Sequence, residues 1–313
     1  MEGVFNHIKL KESYMCAEQT SLNKKALLGI GIGVLLLGTG PMFVKFVKAN
    51  GTLVAFYRLL FASVMLMLPV LISGENRIST LNKDKSVLWI LLGGSTFAIN
   101  IGLWCSALNY TSASIVTLLD NTAPVWVGLF SWLVLGKKQN QIYWFGLSMT
   151  LVGSILLVGN SSPSLNNQQF LGNMLSIASG ISYAAYILIT QQARRVVSSL
   201  RYSWLVSSIG ALSLFIFGSA TGALKQTLSL QGYLLIFLMS LTSQVLGWYL
   251  INNALGKLPA EAASVALVGQ PLVTTILAIF VLREIPSFLQ IIGGIACLIG
   301  IIVVQSSFKN TVN

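Results

Sequence analysis

The chain has 313 residues, of which 55% are hydrophobic and 9% charged, against about 25% charged in an ordinary soluble domain. A surface that apolar cannot be solvated, so a soluble enzyme, a disordered chain and a disulfide scaffold are excluded; the cysteines (Cys16, Cys105 and Cys297) are odd in number, and two lie in apolar runs. The net charge of +11 therefore points not to nucleic acid but to loop cations that orient a membrane-spanning chain.

A spanning helix needs about 20 mostly apolar residues, and ten such spans follow one another. Residues 1–24 are polar and read as a tail. Span 1 (26–47) is rich in glycine (Gly29, Gly31, Gly33, Gly38, Gly40), which permits close helix approach, and groups Gly38, Pro41 and Lys45 on one face. Span 2 (52–72) opens on Phe56-Tyr57-Arg58, and span 3 (87–108) carries Asn100 and Trp104 four apart. Span 4 (112–135) groups Thr117, Asp120 with Asn121, Pro124 and Gly128; span 5 (142–159) is apolar. The polar stretch 160–169 divides the chain. Span 6 (170–191) supplies Tyr183, Tyr186 and Gln191, and span 7 (203–221) follows. Span 8 (232–252) places Gln244, Trp248 and Asn252 at i, i+4 and i+8. Span 9 (262–282) holds Ser264, Gln270 and Pro271, with Thr274 and Thr275 below; span 10 (287–307) and a tail of 308–313 close the chain.

Loop cations fix the orientation. With the N-terminus inside, fourteen Lys and Arg fall on inner segments and three (Lys48, Lys225 and Arg283) on outer ones. Both termini are therefore expected in the cytoplasm, with the chain in a plasma membrane of bacterial inner-membrane type.

The chain also repeats itself at an offset of 147 residues, where Pro124 falls on Pro271, Gly146 on Gly293 and Gly153 on Gly300. Apolar chains align to themselves easily, but an ungapped coincidence of one proline and two glycines is much harder to obtain by chance. Each copy holds five spans. Five is odd, so the second copy crosses the bilayer in the opposite sense. The fold class expected is an all-α membrane protein, ten transmembrane helices arranged as two inverted five-helix repeats, 25–159 and 170–307. Pro41, Pro124 and Pro271 are the candidate helix breaks.

These residues resemble a known family. Ala107-Leu108 through Ala113, Pro124 and Gly146/Gly153, and again Ala254-Leu255 through Ala263-Ser264, Pro271 and Leu282-Arg283-Glu284, look like two EamA domains of the drug/metabolite transporter superfamily. The resemblance implies a carrier of amino acids, metabolites or drugs, with a cavity between the bundles and spans 5 and 10 peripheral. The chain departs from the pattern after span 4, where Lys137-Lys138 replaces the acidic residue that Glu284 keeps in the second copy.

An ionisable side chain inside a bilayer costs about 2.5–3.5 kcal/mol on insertion scales, so each needs a partner or a purpose. Lys45, Arg58 and Asp120 lie within spans, at depths of roughly 3–5, 9 and 12 Å. Snorkelling suits Lys45. An Arg58–Asp120 contact is expected near the outer mouth, as a structural pair or as a gate. The substrate-path candidates are Lys45, Arg58, Asn100, Trp104, Asp120, Asn121, Tyr183, Tyr186, Gln244, Trp248 and Gln270. Amides interleaved with aromatics suit a small polar solute with an apolar part.

The only histidine, His7, is in the tail, and no phosphate loop or nucleophile–base pair is present, so neither enzyme, cofactor, metal nor nucleotide-driven pump is expected. The reading is a secondary carrier that moves a small metabolite outward by alternating access, as a monomer or homodimer. Two cations against one carboxylate favour an anionic or zwitterionic solute such as an amino acid, and Asp120 is the group to carry a coupling proton. Related small multidrug transporters bind lipophilic cations with a glutamate in span 1, which this chain lacks; cationic drug efflux is therefore one alternative. A non-transporting scaffold or lipid-handling protein, with no central cavity, is the other.

Overall fold

A computed structural model of the chain describes residues 24–74, 85–111, 113–158, 167–270, 272–273 and 288–309. The tail before Lys24, Pro271, Thr274, Thr275, Arg283, Glu284 and most of the 160–169 stretch lie outside the described residues. The described residues are almost wholly helical. In hydrocarbon every backbone N–H and C=O must find its partner within the segment, and a helix does so. Six helices are long and apolar enough to cross a bilayer: Lys24–Val47, Gly51–Ile72, Ser86–Ala107, Asn167–Ala193, Ser199–Thr221 and Leu230–Leu255. They correspond to spans 1, 2, 3, 6, 7 and 8. Spans 5 and 10 form the helices Gln141–Val158 and Phe288–Lys309.

In chain order the helices are α1 (24–37), α2 (Gly40–Val47), α3 (Gly51–Ile72), α4 (Lys85–Ala107), α5 (Ala113–Asp120), α6 (Ala123–Leu133), α7 (Gln141–Val158), α8 (Asn167–Ala193) and α9 (Ser199–Thr221). They continue with α10 (Leu230–Met239), a π-helical stretch (Ser240–Gly247), α11 (Trp248–Leu255), α12 (Ala260–Leu267) and α13 (Phe288–Lys309). Tight loops begin with polar caps. Asn50 accepts from the Thr52 amide at 2.9 Å at the start of α3, and Ser229 from the Gly232 amide at 3.1 Å at the start of α10.

Spans 1 and 4 are each interrupted by the same local device. Thr39 and Thr122 turn their hydroxyls onto the carbonyls of Leu36 and Leu119, both at 2.7 Å. A proline two residues on, Pro41 or Pro124, occupies the first turn of the next helix, where its missing N–H costs nothing. Each proline thus restarts a helix instead of kinking one. Gly180 of α8 lies against this break, and a Cβ there would stand 3.1 Å from both Leu119 O and Asp120 O.

The repeat is visible in this geometry. Helix α5 runs Ala113–Asp120 and α12 runs Ala260–Leu267, the same positions at the 147-residue offset. The packing shows it too. A Cβ on Gly153 would stand 2.7 Å from Gly293 O, and one on Gly146 3.0 Å from Gly300 O. Exchanging the two copies maps the first contact onto the second, so α7 and α13 cross antiparallel about a two-fold relation. They pack chiefly on each other, α3 pairs with α9 across the same relation, and α4 packs on α8, which is not its repeat equivalent. Of the glycines of span 1, Gly33 and Gly38 do carry close approaches, to Ile251 and Val273, whereas nothing lies near Gly31. Large apolar side chains such as Phe46, Leu68 and the run Phe215-Ile216-Phe217 are exposed around the outside, a surface that only lipid can cover.

Candidate functional site

Where the two copies meet, a narrow cavity of about 30 Å³ is bounded by Leu37 and Gly40 of span 1, Arg58 of α3, Asn100, Ile101 and Trp104 of α4 and Asp120 at the end of α5. Its far side is Tyr183 of α8, Ser243 and Trp248 of span 8 and Gln270. Both repeats contribute. The interruption after Asp120 ends α5 at the cavity wall, and the π-helical stretch of span 8 re-aims the residues ahead of Trp248, because a π turn inserts one residue into the helical register.

The two charged groups hold separate ground. Arg58, 2% exposed, donates from Nε to Gln244 Oε1 at 3.1 Å and from Nη2 to Ser243 Oγ at 3.0 Å. Its guanidinium also lies 5.9 Å from the Trp104 ring. All of these partners are neutral. Asp120 accepts at Oδ1 from the Ser179 hydroxyl at 2.6 Å and from Asn100 Nδ2 at 3.4 Å, and Ser179 is itself held by Asn100 Nδ2 at 2.9 Å. The expected Arg58–Asp120 contact is therefore not made. Rotation of α3 and of the π segment gives the guanidinium an amide and a hydroxyl, while α8 supplies the carboxylate with Ser179. Both charges line one cavity without neutralising each other.

Aromatic rings make the wall between them and the region towards Asn252. Trp248 stands 5.6 Å from Tyr183, 5.3 Å from Tyr186 and 4.9 Å from Phe97 between ring centroids. Within the cavity wall, the Trp248 indole N–H is buried with no acceptor among the described residues. Beyond this layer, towards the loops 194–198 and 256–259, the helices close on polar contacts. Tyr186 donates to Asn252 Oδ1 at 2.9 Å, Asn252 to Ser203 Oγ at 3.0 Å, and Gln191 to Leu258 O at 3.1 Å. Arg194 donates to Asn252 O at 3.0 Å and also to Val197 O. That end is sealed.

Of the residues singled out from the sequence, the cavity brings together Arg58, Asn100, Trp104, Asp120, Tyr183, Trp248 and Gln270. Gln244 stands behind Arg58, Tyr186 and Asn252 form the seal, and Asn121 is buried beside the α5–α6 break. Lys45 is exposed and does not line the cavity. Ser179 and Ser243 were missed. Ser179 precedes Tyr183 by four residues, so helical spacing alone would have placed it on the same face; Ser243 reaches Arg58 only because of the π turn, which no spacing rule anticipates. Glu261 was missed as well, because it was assigned to a loop. It is 4% exposed in the first turn of α12 and accepts from Ser131 Oγ at 2.6 Å, where the helix N-terminus favours its charge.

The profile of a family described as EamA-like transporters matches this chain twice, over residues 24–159 and 170–306. The chain is 28% identical over 250 residues to an uncharacterized transporter, YetK, of Bacillus subtilis, covering 78% of this chain and 74% of that one. An uncharacterized transporter of Archaeoglobus fulgidus is 25% identical over 292 residues, or 90% and 97% of the two chains. A solved crystal structure superposes with a TM-score of 0.73 at 16% identity, covering 90% of this chain and 97% of that one; at that identity the likeness concerns the fold.

Proposed function

The chain belongs to the EamA-like transporter family, and we propose that it is a secondary carrier of a small zwitterion, an amino acid or a close analogue, moved outward by alternating access. One observation carries the reading: Arg58 and Asp120 line the same cavity and are not paired with each other. A buried cation with neutral partners only is costly, and a solute carboxylate on the guanidinium would relieve that cost. The Asp120 carboxylate is the matching acceptor for an ammonium group. The Trp248 indole N–H offers a further donor, and the rings of Trp104, Tyr183 and Trp248 suit an apolar substituent.

Asp120 is also the group proposed to take the coupling proton. Proton and substrate ammonium would compete for one oxygen, which ties release of the first to binding of the second. Loop cations support a placement with both termini in the cytoplasm of a plasma membrane, so the polar layer of Tyr186, Asn252 and Gln191 closes the cytoplasmic side. Cationic drug efflux fits less well with Arg58 in the cavity. A scaffold role fits less well with any cavity on the repeat axis.

The test is counterflow of labelled amino acids in proteoliposomes. The free amino acid should compete with label, whereas its methyl ester and its N-acetyl derivative should each compete at least about tenfold less well, since each loses a charge-assisted hydrogen bond. Asp120→Asn should remove any stimulation by a pH gradient, and Arg58→Gln should weaken substrate binding by a similar factor. Equal competition by the blocked and free compounds would sink the zwitterion reading.

A further inference from the structure

A second hollow lies apart from the central cavity, on the outside of the bundle, and the proposed transport cycle makes no use of it. It has a volume of about 800 Å³ and runs between α8 and α9 over a floor made by α4. Gly102 lets α4 approach α9 there, since a Cβ would stand 3.1 Å from Leu214 Cδ2. The walls are Ile99, Leu103, Leu171, Leu175, Leu214 and Phe217, of which Ile99, Leu171 and Phe217 are exposed. The hollow thus opens to the surroundings of the bundle, where the solvent is lipid.

One end of it is polar. Asn50, Asn109, Tyr110, Gly222 and Ala223 form that rim. The Asn50 amide donates to Gln226 Oε1 at 2.8 Å, which ties the linker 48–50 to the segment 223–226. Each tied segment carries a cation, Lys48 on the first and Lys225 on the second, where a Cβ on Gly222 would stand 3.8 Å from the Lys225 stem. Among the described residues this end of the bundle has no acidic side chain. Lys48 also has φ 49°, a left-handed helix end that favours glycine; the chain carries a cation where the backbone asks for none.

We propose that this groove holds one anionic phospholipid of the surrounding bilayer, its acyl chain along α4 between α8 and α9 and its phosphate between Lys48 and Lys225. The apolar length accounts for the chain, and the two cations above a rim without acids among the described residues account for the head group. A zwitterionic lipid would satisfy the first feature and not the second.

The experiment uses the full chain in detergent, with equimolar phosphatidylglycerol and phosphatidylcholine of identical acyl chains added, and counts bound lipid by native mass spectrometry. Phosphatidylglycerol should be retained over phosphatidylcholine by about tenfold or more at low salt. Lys48→Gln/Lys225→Gln, both at exposed positions, should bring the two lipids to parity while elution volume is unchanged. Ser213→Phe, which fills the groove, should lose both. Equal retention of the two lipids by the unaltered chain, an undiminished preference in the lysine variant, or undiminished lipid in Ser213→Phe would each overturn the proposal.

Discussion

Ser179 shows how much one hydroxyl decides. It accepts from Asn100 and donates to Asp120 Oδ1 at 2.6 Å, so it fixes which carboxylate oxygen faces the cavity. A hydrogen bond to a charged group is worth about 1.5–3 kcal/mol. Ser179→Ala should therefore raise the apparent KM for transport by roughly tenfold or more while the protein still elutes as a single species; an unchanged KM would mean that Asn100 alone orients the acid. Arg58 teaches the complementary point. Its identity and depth were plain in the sequence, and its partners were not, because a side chain of that length reaches several helices and the choice among them depends on helix rotation. Glu261 escaped for a simpler reason: it lies one residue before the apolar run, and hydropathy alone assigns such a residue to water.

At the scale of the element, the helix interruptions and the glycine crossing carry the predictions. Adding a methyl group at Gly153 would place it 2.7 Å from Gly293 O and 2.9 Å from Cys297 Cα, backbone atoms that cannot move aside. Overpacking of this kind costs about 1–3 kcal/mol. Gly153→Ala should lower the melting temperature in detergent, whereas Gly31→Ala, with nothing within 4 Å, should leave it unchanged or slightly raised. Equal melting temperatures for the two variants would remove the crossing from the account of stability. The π stretch Ser240–Gly247 is testable by deleting Leu241. Removal of one residue restores α register and swings Ser243 and Gln244 off Arg58, so transport should be lost although the chain still inserts. The repeat foretold that α5 and α12 would be equivalent, and they are; it did not foretell that Thr39 and Thr122 would each cap the helix end before a proline, a pattern legible as Thr-x-Pro in spans 1 and 4 once its meaning is known.

On the scale of the whole molecule, one end of the central cavity is closed by Tyr186, Asn252, Ser203 and Gln191. Alternating access requires that this layer part in the opposite state. A bis-methanethiosulfonate cross-linker joining cysteines that replace Tyr186 and Asn252, a pair that meets only through the tyrosine tip, should abolish counterflow, and dithiothreitol should restore it. Transport that survives quantitative cross-linking would show that the solute takes another route. The antiparallel crossing of α7 and α13 packs chiefly on itself, and among the described residues neither helix contributes to the central cavity.

The chain by itself determined that it spans a membrane, that it does so in two inverted copies, and that an arginine and an aspartate lie at similar depth. Those are matters of apolar length, parity and spacing, each a property of sequence read locally. Only the tertiary structure decided that the two charges stand apart, which residues hold them, and where the helices seal. Such choices turn on rotations of a few tens of degrees between packed helices, and close contacts at Gly180, Gly146 and Gly153 set those rotations; no single segment contains them.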